Sequence, residues 1–540
     1  MKPSMQARDV ASENAMALTM LNCDDEAKEK LMDALRRRSD GELTGENAVV
    51  LVILSHYHDG KEYLAKMDRL PTEIILAILH KIPNARDRLN LVQICRRWRA
   101  SLLGTAFCST HLEWPELRCL VVAALANPGI RFSIREISIN NGAKKGALAP
   151  LGPAVQDLID LISESPVEYD AWRKNLSSDQ GEVWIALAMA ILPNLATISA
   201  QHSYPGGWIT RIISKAAWKQ FPFDCNTLPA LQRLEKLELS WRYLSTVLSH
   251  RDYLPLFHLP SLRTLRLGPV QELHSTHSAA DHPAFFPVPA TSPVEELTLD
   301  FFCNGRYGMD DFVTSCANLK RFVYQHTNDI IWVSRQDEED CMGVDASFRP
   351  WCFHEALQTQ KHSLEVLHLN DLGDASTPRP THLYKENVDP ISHDRWFGSL
   401  ADFSKLRELR IRASNLLNLH PKETEDMVWL GDMLPKSLRV LHLADCNINN
   451  CAVLVTHLED LLTRREEQFP NLQSLLVSPE REEPHGTSVR IREAFRKQWT
   501  TLQVMCDRVG VRLSLGAGEK MNTDQKHWSP GRIVDEALLN

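Results

Sequence analysis

The chain has 540 residues, of which 44% are hydrophobic, and its formal net charge at pH 7 is -9. This length predicts two or more folded domains, and the acidic balance, with acidic and basic residues interspersed, gives no basic footprint of the kind typical of nucleic-acid binding. The longest near-apolar run, residues 48–55, is too short to span a membrane, and the first residues lack the apolar core of a signal peptide. We therefore expect an intracellular protein, cytoplasmic or nuclear, with neither nucleic acid nor a membrane as its partner.

The first predicted element is a helical N-terminal extension, residues 1–66. Within residues 26–38, Leu31 and Leu35 are four residues apart, which is the spacing of one helix face. The extension has no assigned function. Two roles remain open for it: a helix that binds a partner, and a support that packs against the next module.

The next element, from Leu70 onwards, is a pair of short helices. Apolar residues recur every four positions from Leu70 to Ile82, and Pro71 suits the first turn of a helix. Pro83 interrupts this pattern, and a second helical run follows from Leu89 to Leu102.

This helix pair resembles the F-box family. The matching pattern is a Leu-Pro opening, an acidic residue followed by an aliphatic, an Ile-Leu pair and Val-x-x-Cys-x-x-Trp; here it is Leu70-Pro71, Glu73-Ile74, Ile78-Leu79, Val92, Cys95 and Trp98. The resemblance implies an all-helical module, residues 67–114, which binds the Skp-type adaptor of SCF ubiquitin ligases and through it a cullin-RING core. The implied adaptor-binding residues, whether in the contact surface or supporting it, are Leu70, Pro71, Ile74, Ile78, Leu79, Val92, Cys95 and Trp98. The alternative for the apolar stripe alone is an ordinary domain core, in which Cys95 is a packed hydrophobe.

The rest of the chain contains an irregular repeat of the pattern Leu-x-x-Leu-x-Leu or Ile. Five copies are clean and begin at Leu234, Leu262, Leu364, Leu406 and Leu438; five looser ones begin at Ile134, Leu195, Val294, Leu319 and Leu472. Each copy resembles the strand of a leucine-rich repeat, and the copy at Leu438 follows the family's longer consensus up to Cys446 and Asn447. The resemblance implies an α/β fold for residues 115–515, an irregular solenoid of alternating strands and helices. An ordinary α/β domain with leucine-rich strands is the alternative.

The segments between the strands are long enough for helices. We predict helices over residues 243–256, 309–317, 351–360, 394–403, 423–434 and 451–468, and strand alternating with helix favours parallel strands. Residues 516–540 lack a core pattern and are predicted to be a loosely ordered tail.

The residues between the leucines are the default ligand surface, the concave face of the solenoid. They include Glu238, Arg266, Thr298, His368, Arg410 and His442. The long interruptions 268–293, 325–350 and 370–391 carry His274, Trp332 and His382; they are either recognition loops or variable insertions.

No motif indicates catalysis. The chain lacks a Gly-x-Ser-x-Gly elbow and a phosphate-binding Gly-x-x-x-x-Gly-Lys loop, and His354-Glu355 is not followed by the second histidine of a zinc helix. The twelve cysteines show no disulfide or zinc spacing, so we expect neither metal nor cofactor. The sequence predicts a non-catalytic substrate receptor of an SCF-type ligase that binds an unknown target protein. The alternatives are an F-box scaffold without a ligase role and an enzyme on a repeat-like α/β fold.

Overall fold

In the computed structural model, the chain divides into two compact units. Unit 1 comprises Met1–His111 and Asn127–Glu136, and unit 2 comprises Leu112–Ala126 and Ile137–Asn540. The structure describes residue 88 and residues 107–140, 151–177, 181–202, 207–218, 230–241, 248–272, 287–305, 307–326, 348–371, 396–417, 428–446, 451–479 and 488–515.

The strands are short and follow the predicted repeat. They are β1 Ser109–Glu113, β2 Glu136–Asn140, β3 Thr197–His202, β4 Lys236–Trp241, β5 Leu248–Ser249, β6 Thr264–Gly268, β7 Val270–Gln271, β8 Glu296–Cys303, β9 Arg321–His326, β10 Val366–Asp371, β11 Glu408–Arg412, β12 Val440–Cys446, β13 Ser474–Pro479 and β14 Arg512–Leu515. Twelve of them form one sheet in the order β1-β2-β3-β4-β6-β8-β9-β10-β11-β12-β13-β14, and β5 pairs with β7. Every neighbouring pair from β3 to β14 in the large sheet is parallel. The predicted α/β fold with parallel strands is confirmed.

The helices lie between the strands along the chain. They are α1 Trp114–Ala126, α2 Pro128–Ser133, α3 Pro153–Ile162, α4 Pro166–Ser177, α5 Gly181–Ile191, α6 Trp208–Ala217, α7 Asp310–Ser315, α8 Pro350–Gln358, α9 Ala413–Leu416, α10 Leu430–Met433, α11 Cys451–Thr463, α12 Arg465–Gln468 and α13 Ser488–Val509, with a 3-10 helix at His250–His258. No helix of the described part of the chain is long and apolar enough to cross a membrane.

In unit 1, hydrogen bonds connect Arg88 and the backbone of two short segments. The Arg88 guanidinium donates to the backbone oxygen of Ser109, and the backbone amides of Arg135 and Glu136 both donate to the oxygen of Cys108, at 2.8 and 2.9 Å. The side chain of Asn127 caps α2 by accepting from the amide of Gly129 at 2.9 Å.

In unit 2, the repeated leucine positions form the core. The nine copies of the pattern from Leu195 onwards lie at strands β3 to β13 of the large sheet, and their apolar positions, Leu367, Leu409 and Leu441 among them, are at most 3% exposed. Strand side chains alternate between the two faces of a sheet, so the second and third apolar positions of each copy, two residues apart, point to the same side. The repeat therefore builds one continuous apolar layer across the strands, which the helices and loops cover.

Three of the predicted helices differ in the structure. Residues 396–403, the described part of the predicted helix 394–403, are not helical: the amides of Phe397 and Leu400 donate to Asn415 and Met433 at 2.6 and 2.7 Å. These acceptors lie later in the chain, so the amides are satisfied without the carbonyls four residues earlier that a helix requires. Gly398, with φ +94°, is also incompatible with a helix. The segment is long enough for the predicted helix, but its buried apolar side chains instead belong to a loop.

The other two corrections concern helix type and length. Of the predicted helix 243–256, the described part from His250 onwards is a 3-10 helix containing Pro255, which has no N–H for an α-helical hydrogen bond. Of the predicted helix 423–434, only Leu430–Met433 is helical within the described residues 428–434. The predicted helices at 309–317, 351–360 and 451–468 correspond to α7, α8 and the pair α11 and α12.

Candidate binding face

The sheet of unit 2 has a second face, opposite the leucine layer, which we call the open face. It is formed by the residues between the repeated leucines, and strand pairing aligns them into rows. One row runs Ser199, Glu238, Arg266, Thr298, Val323, His368, Arg410, His442, Leu476 and Ser514. The six residues predicted for the ligand surface all lie in this one row, although up to 204 residues separate them in the sequence.

A second row lies two residues earlier on the same strands. It runs Thr197, Lys236, Thr264, Glu296, Arg321, Val366, Glu408, Val440, Ser474 and Arg512. The sequence interpretation missed this row, although the period of two in a strand was the signal that would have found it. Arg321 and Glu408 are the members that matter most for the charge of the face.

The most connected part of the open face is a cluster on β10, β11 and β12, the His368 cluster: His368, Glu408, Arg410 and His442. His368 is 4% exposed and its Nε2 lies 2.6 Å from Oε1 of Glu408 on the neighbouring strand. This hydrogen bond is the main reason that the pKa of Glu408 is below its ordinary value. Burial raises this pKa, and the nearby positive charge of Arg321 lowers it further. Glu408 is therefore a carboxylate at neutral pH.

His442 completes this cluster as a neutral group. Burial lowers its pKa to about 3, and the positive charge of Arg410 acts in the same direction. Its Nε2 lies 2.8 Å from the hydroxyl of Ser478 on β13. Arg410 is itself only 8% exposed. At neutral pH the cluster thus combines one carboxylate, one guanidinium and an uncharged imidazole at His442.

The earlier strands carry a different arrangement. Glu238 on β4 lies 2.9 Å from the ammonium of Lys236 and accepts a hydrogen bond from the hydroxyl of Ser199 at 3.0 Å. Burial would raise the pKa of Glu238, but the hydrogen bond from Lys236 and its charge hold that pKa below the ordinary value. Here Lys236 and Glu238 of the open face are paired with each other.

Sequence reasoning also missed a buried carboxylate away from this face. Glu272 is 4% exposed, and its Oε2 accepts hydrogen bonds from the backbone amides of Tyr307 and Met309 at 2.6 and 3.1 Å. Burial raises its pKa despite these bonds. Because it secures the loop before α7, we assign it a structural role; a glutamate directly after a strand carried no signal of this in the sequence.

The eight residues predicted to bind the adaptor, Leu70, Pro71, Ile74, Ile78, Leu79, Val92, Cys95 and Trp98, lie outside the described residues. The same holds for His274, Trp332 and His382 of the long interruptions, and for the predicted helix within 1–66 and the tail 516–540. Their assignments, and the domain boundaries at 66, 114 and 515, stay predictions.

Comparison with known families gives two matches. A family model described as a leucine-rich repeat domain matches residues 147–511, and one described as F-box-like matches residues 67–106. No curated protein matches the chain significantly. The first match covers β3 to β13 and most of the open face, and the second covers the predicted helix pair.

Proposed function

Because the chain belongs to the leucine-rich repeat family and carries an F-box-like segment, we propose that it is the substrate-recognition subunit of an SCF-type ubiquitin ligase. Residues 67–106 bind a Skp-type adaptor, and the open face of the repeat domain binds a target protein. The protein itself performs no chemistry; it brings the target close to a ubiquitin-conjugating enzyme held elsewhere in the complex.

One observation carries this proposal: an adaptor-binding family and a protein-binding family occur in one chain in consecutive segments. Both families are typically interaction modules without catalysis. The open face supports the second half of the proposal, because it offers a row of mainly polar and charged side chains across ten strands, on a layer of buried apolar side chains.

The proposal is tested by co-purifying the full chain with a Skp-type adaptor and a cullin. Trp98→Ala and the double variant Leu70→Ala/Pro71→Ala are expected to lose adaptor binding. We predict that Trp98 packs in or beneath the adaptor interface, and truncating a packed tryptophan costs about 3 to 5 kcal/mol, or roughly two to four decades in affinity. The matched control is Trp351→Ala, a tryptophan of α8 that is 40% exposed and belongs to the repeat domain. It is expected to bind the adaptor as the wild type does.

Circular dichroism of each variant separates loss of binding from loss of folding. Wild type that is folded but does not bind the adaptor would refute the receptor proposal. Wild type that binds adaptor and cullin, with no protein whose abundance rises when the chain is deleted from cells, would favour the scaffold without a ligase role.

A further inference from the structure

The two halves of the open face differ in charge. At the residue preceding each strand and at the two rows defined above, β9 to β14 carry six basic side chains and two carboxylates, whereas β3, β4, β6 and β8 carry three basic and four acidic ones. The six basic residues are Lys320, Arg321, Arg407, Arg410, Arg439 and Arg512, and the two acidic ones are Glu365 and Glu408. The C-terminal half is therefore a basic patch in a chain whose net charge is -9.

Part of this positive charge has no internal counter-charge. Arg439 and Arg512 are exposed, and within the described part of the chain no carboxylate forms an ion pair with either. By contrast, Lys320 lies 2.6 Å from Glu295 and Arg407 lies 3.6 Å from Glu365. An exposed guanidinium without a carboxylate is available to an anionic partner and binds carboxylates through two parallel hydrogen bonds.

Aliphatic side chains lie among the basic groups, and the carboxylate of Glu408 lies between Val366 and Val440 in the second row. Val323, Val366, Val440 and Leu476 are half-buried and lie in the same two rows as Arg321 and the His368 cluster. None of the residues of these two rows on β9 to β14 is Phe, Tyr or Trp, so the patch lacks the stacking surfaces on which single-stranded nucleic acids bind. Basic and aliphatic side chains side by side instead fit a peptide that alternates acidic and apolar residues.

We propose that the C-terminal half of the open face, β9 to β14, binds an acidic segment of the target protein, in which carboxylate side chains alternate with aliphatic ones. The inference rests on the proposed function, since it names the class of target. Six parallel strands about 4.8 Å apart span roughly 24 Å, which an extended peptide of about seven residues covers. Carboxylates of the segment pair with Arg321, Arg439 and Arg512, and its aliphatic side chains pack on Val366, Val440 and Leu476.

The test is selection of random peptides of about ten residues displayed on phage, against the full-length chain. Wild type is expected to enrich Asp and Glu alternating with Val, Leu or Ile. The affinity of a synthetic peptide from this pool is then measured by fluorescence anisotropy. Arg321→Glu/Arg439→Glu is expected to weaken binding about tenfold or more, and added salt to weaken it further. The matched control, Arg263→Glu, reverses an exposed arginine that directly precedes β6, as Arg439 directly precedes β12, and is expected to change affinity by less than about twofold.

Circular dichroism establishes that both variants are folded. The proposal is overturned if wild type enriches no peptides or non-acidic ones, if both variants weaken binding equally, or if a labelled thymidine oligonucleotide binds more tightly than the selected peptide. Adaptor co-purification of the same preparations distinguishes the two proposals. If the chain selects acidic peptides but does not bind the adaptor, only the ligase role is refuted. If it binds the adaptor but does not select acidic peptides, only the proposed class of target is refuted.

Discussion

The two faces of the parallel sheet obey different rules. On the leucine face, a large apolar residue, most often leucine, recurs at the same places in the strands that carry the repeat, and these side chains are at most 3% exposed. On the open face, neighbouring strands present different chemistry, such as Arg266, Thr298 and Val323 in one row. Close packing tolerates little variation in volume, whereas a solvated surface tolerates almost any side chain. The leucine face therefore specifies the fold, and the open face is where recognition is able to differ from one protein to another.

The sharpest test of this contrast uses two adjacent leucines of β13. Leu475 is fully buried in the leucine face, and Leu476 is only half-buried on the open face. Leu475→Ala is expected to lower the free energy of unfolding by about 2 to 5 kcal/mol, since it leaves a cavity, and Leu476→Ala by about 1 kcal/mol or less. Urea denaturation measures both. Equal losses would show that the two faces are not energetically distinct.

A second test concerns a polar group within the leucine face. Tyr324 occupies an apolar position of the repeat on β9 and is fully buried; its hydroxyl accepts from the amide of Gly305 at 2.6 Å. Tyr324→Phe leaves that buried amide without its acceptor, and we expect a loss of about 1 to 3 kcal/mol in urea denaturation. Tyr307→Phe, at a side chain 38% exposed, is the control, expected within about 0.5 kcal/mol. A neutral Tyr324→Phe would mean that the hydroxyl is dispensable for this face.

The free energy of unfolding depends on pH through His442 on the open face. The pKa of His442 falls from 6.5 to about 3 in the folded protein, so the unfolded chain binds a proton between these values that the folded chain excludes. The free energy of unfolding is therefore highest above pH 6.5 and decreases as the pH falls. Allowing for partial exposure, we expect wild type to lose about 1 kcal/mol more than His442→Gln between pH 7 and pH 5. Parallel pH curves for the two proteins would contradict this.

The smallest effect is expected at Arg439. Its side chain is exposed and has no ion pair with a described residue, so Arg439→Ala is expected to change the free energy of unfolding by no more than about 0.5 kcal/mol. Thermal unfolding followed by circular dichroism is sufficient to test this, with Arg407→Ala as comparison, because Arg407 faces Glu365 at 3.6 Å. A loss above 1 kcal/mol for Arg439→Ala would mean that this arginine supports the fold rather than a partner.

The strands were the most predictable part of the molecule. Ten copies of one pattern predicted the positions of ten strands, because six consecutive residues are enough to show which side chains of a strand are buried. The edge strands β1 and β14 were not predicted, since neither Ser109–Glu113 nor Arg512–Leu515 carries the complete pattern. An edge strand requires only one neighbour, and its sequence is correspondingly less constrained.

The segments between the strands were less predictable. The i, i+3 spacing of Phe397, Leu400 and Phe403 suits a helix, yet this segment is a loop. The backbone amides of Phe397 and Leu400 donate hydrogen bonds to the backbone oxygens of Asn415 and Met433. A local pattern shows which side chains are buried, but it does not show whether the backbone hydrogen bonds come from the segment itself or from a neighbouring repeat.

The sequence by itself determined the apolar layer and one row of the open face, because both follow from a short pattern with a period of two, and the alternation of strands with helices predicted that the strands are parallel. Only the tertiary structure decided which of those residues meet. His368 and Glu408 are 40 residues apart, and Arg321 and Glu408 belong to different strands; their proximity, and the low pKa of His442, depend on strand register. The register of the strands is set by packing of the leucine side chains of neighbouring strands, which are joined by segments of unequal length. No local pattern in the chain encodes this register.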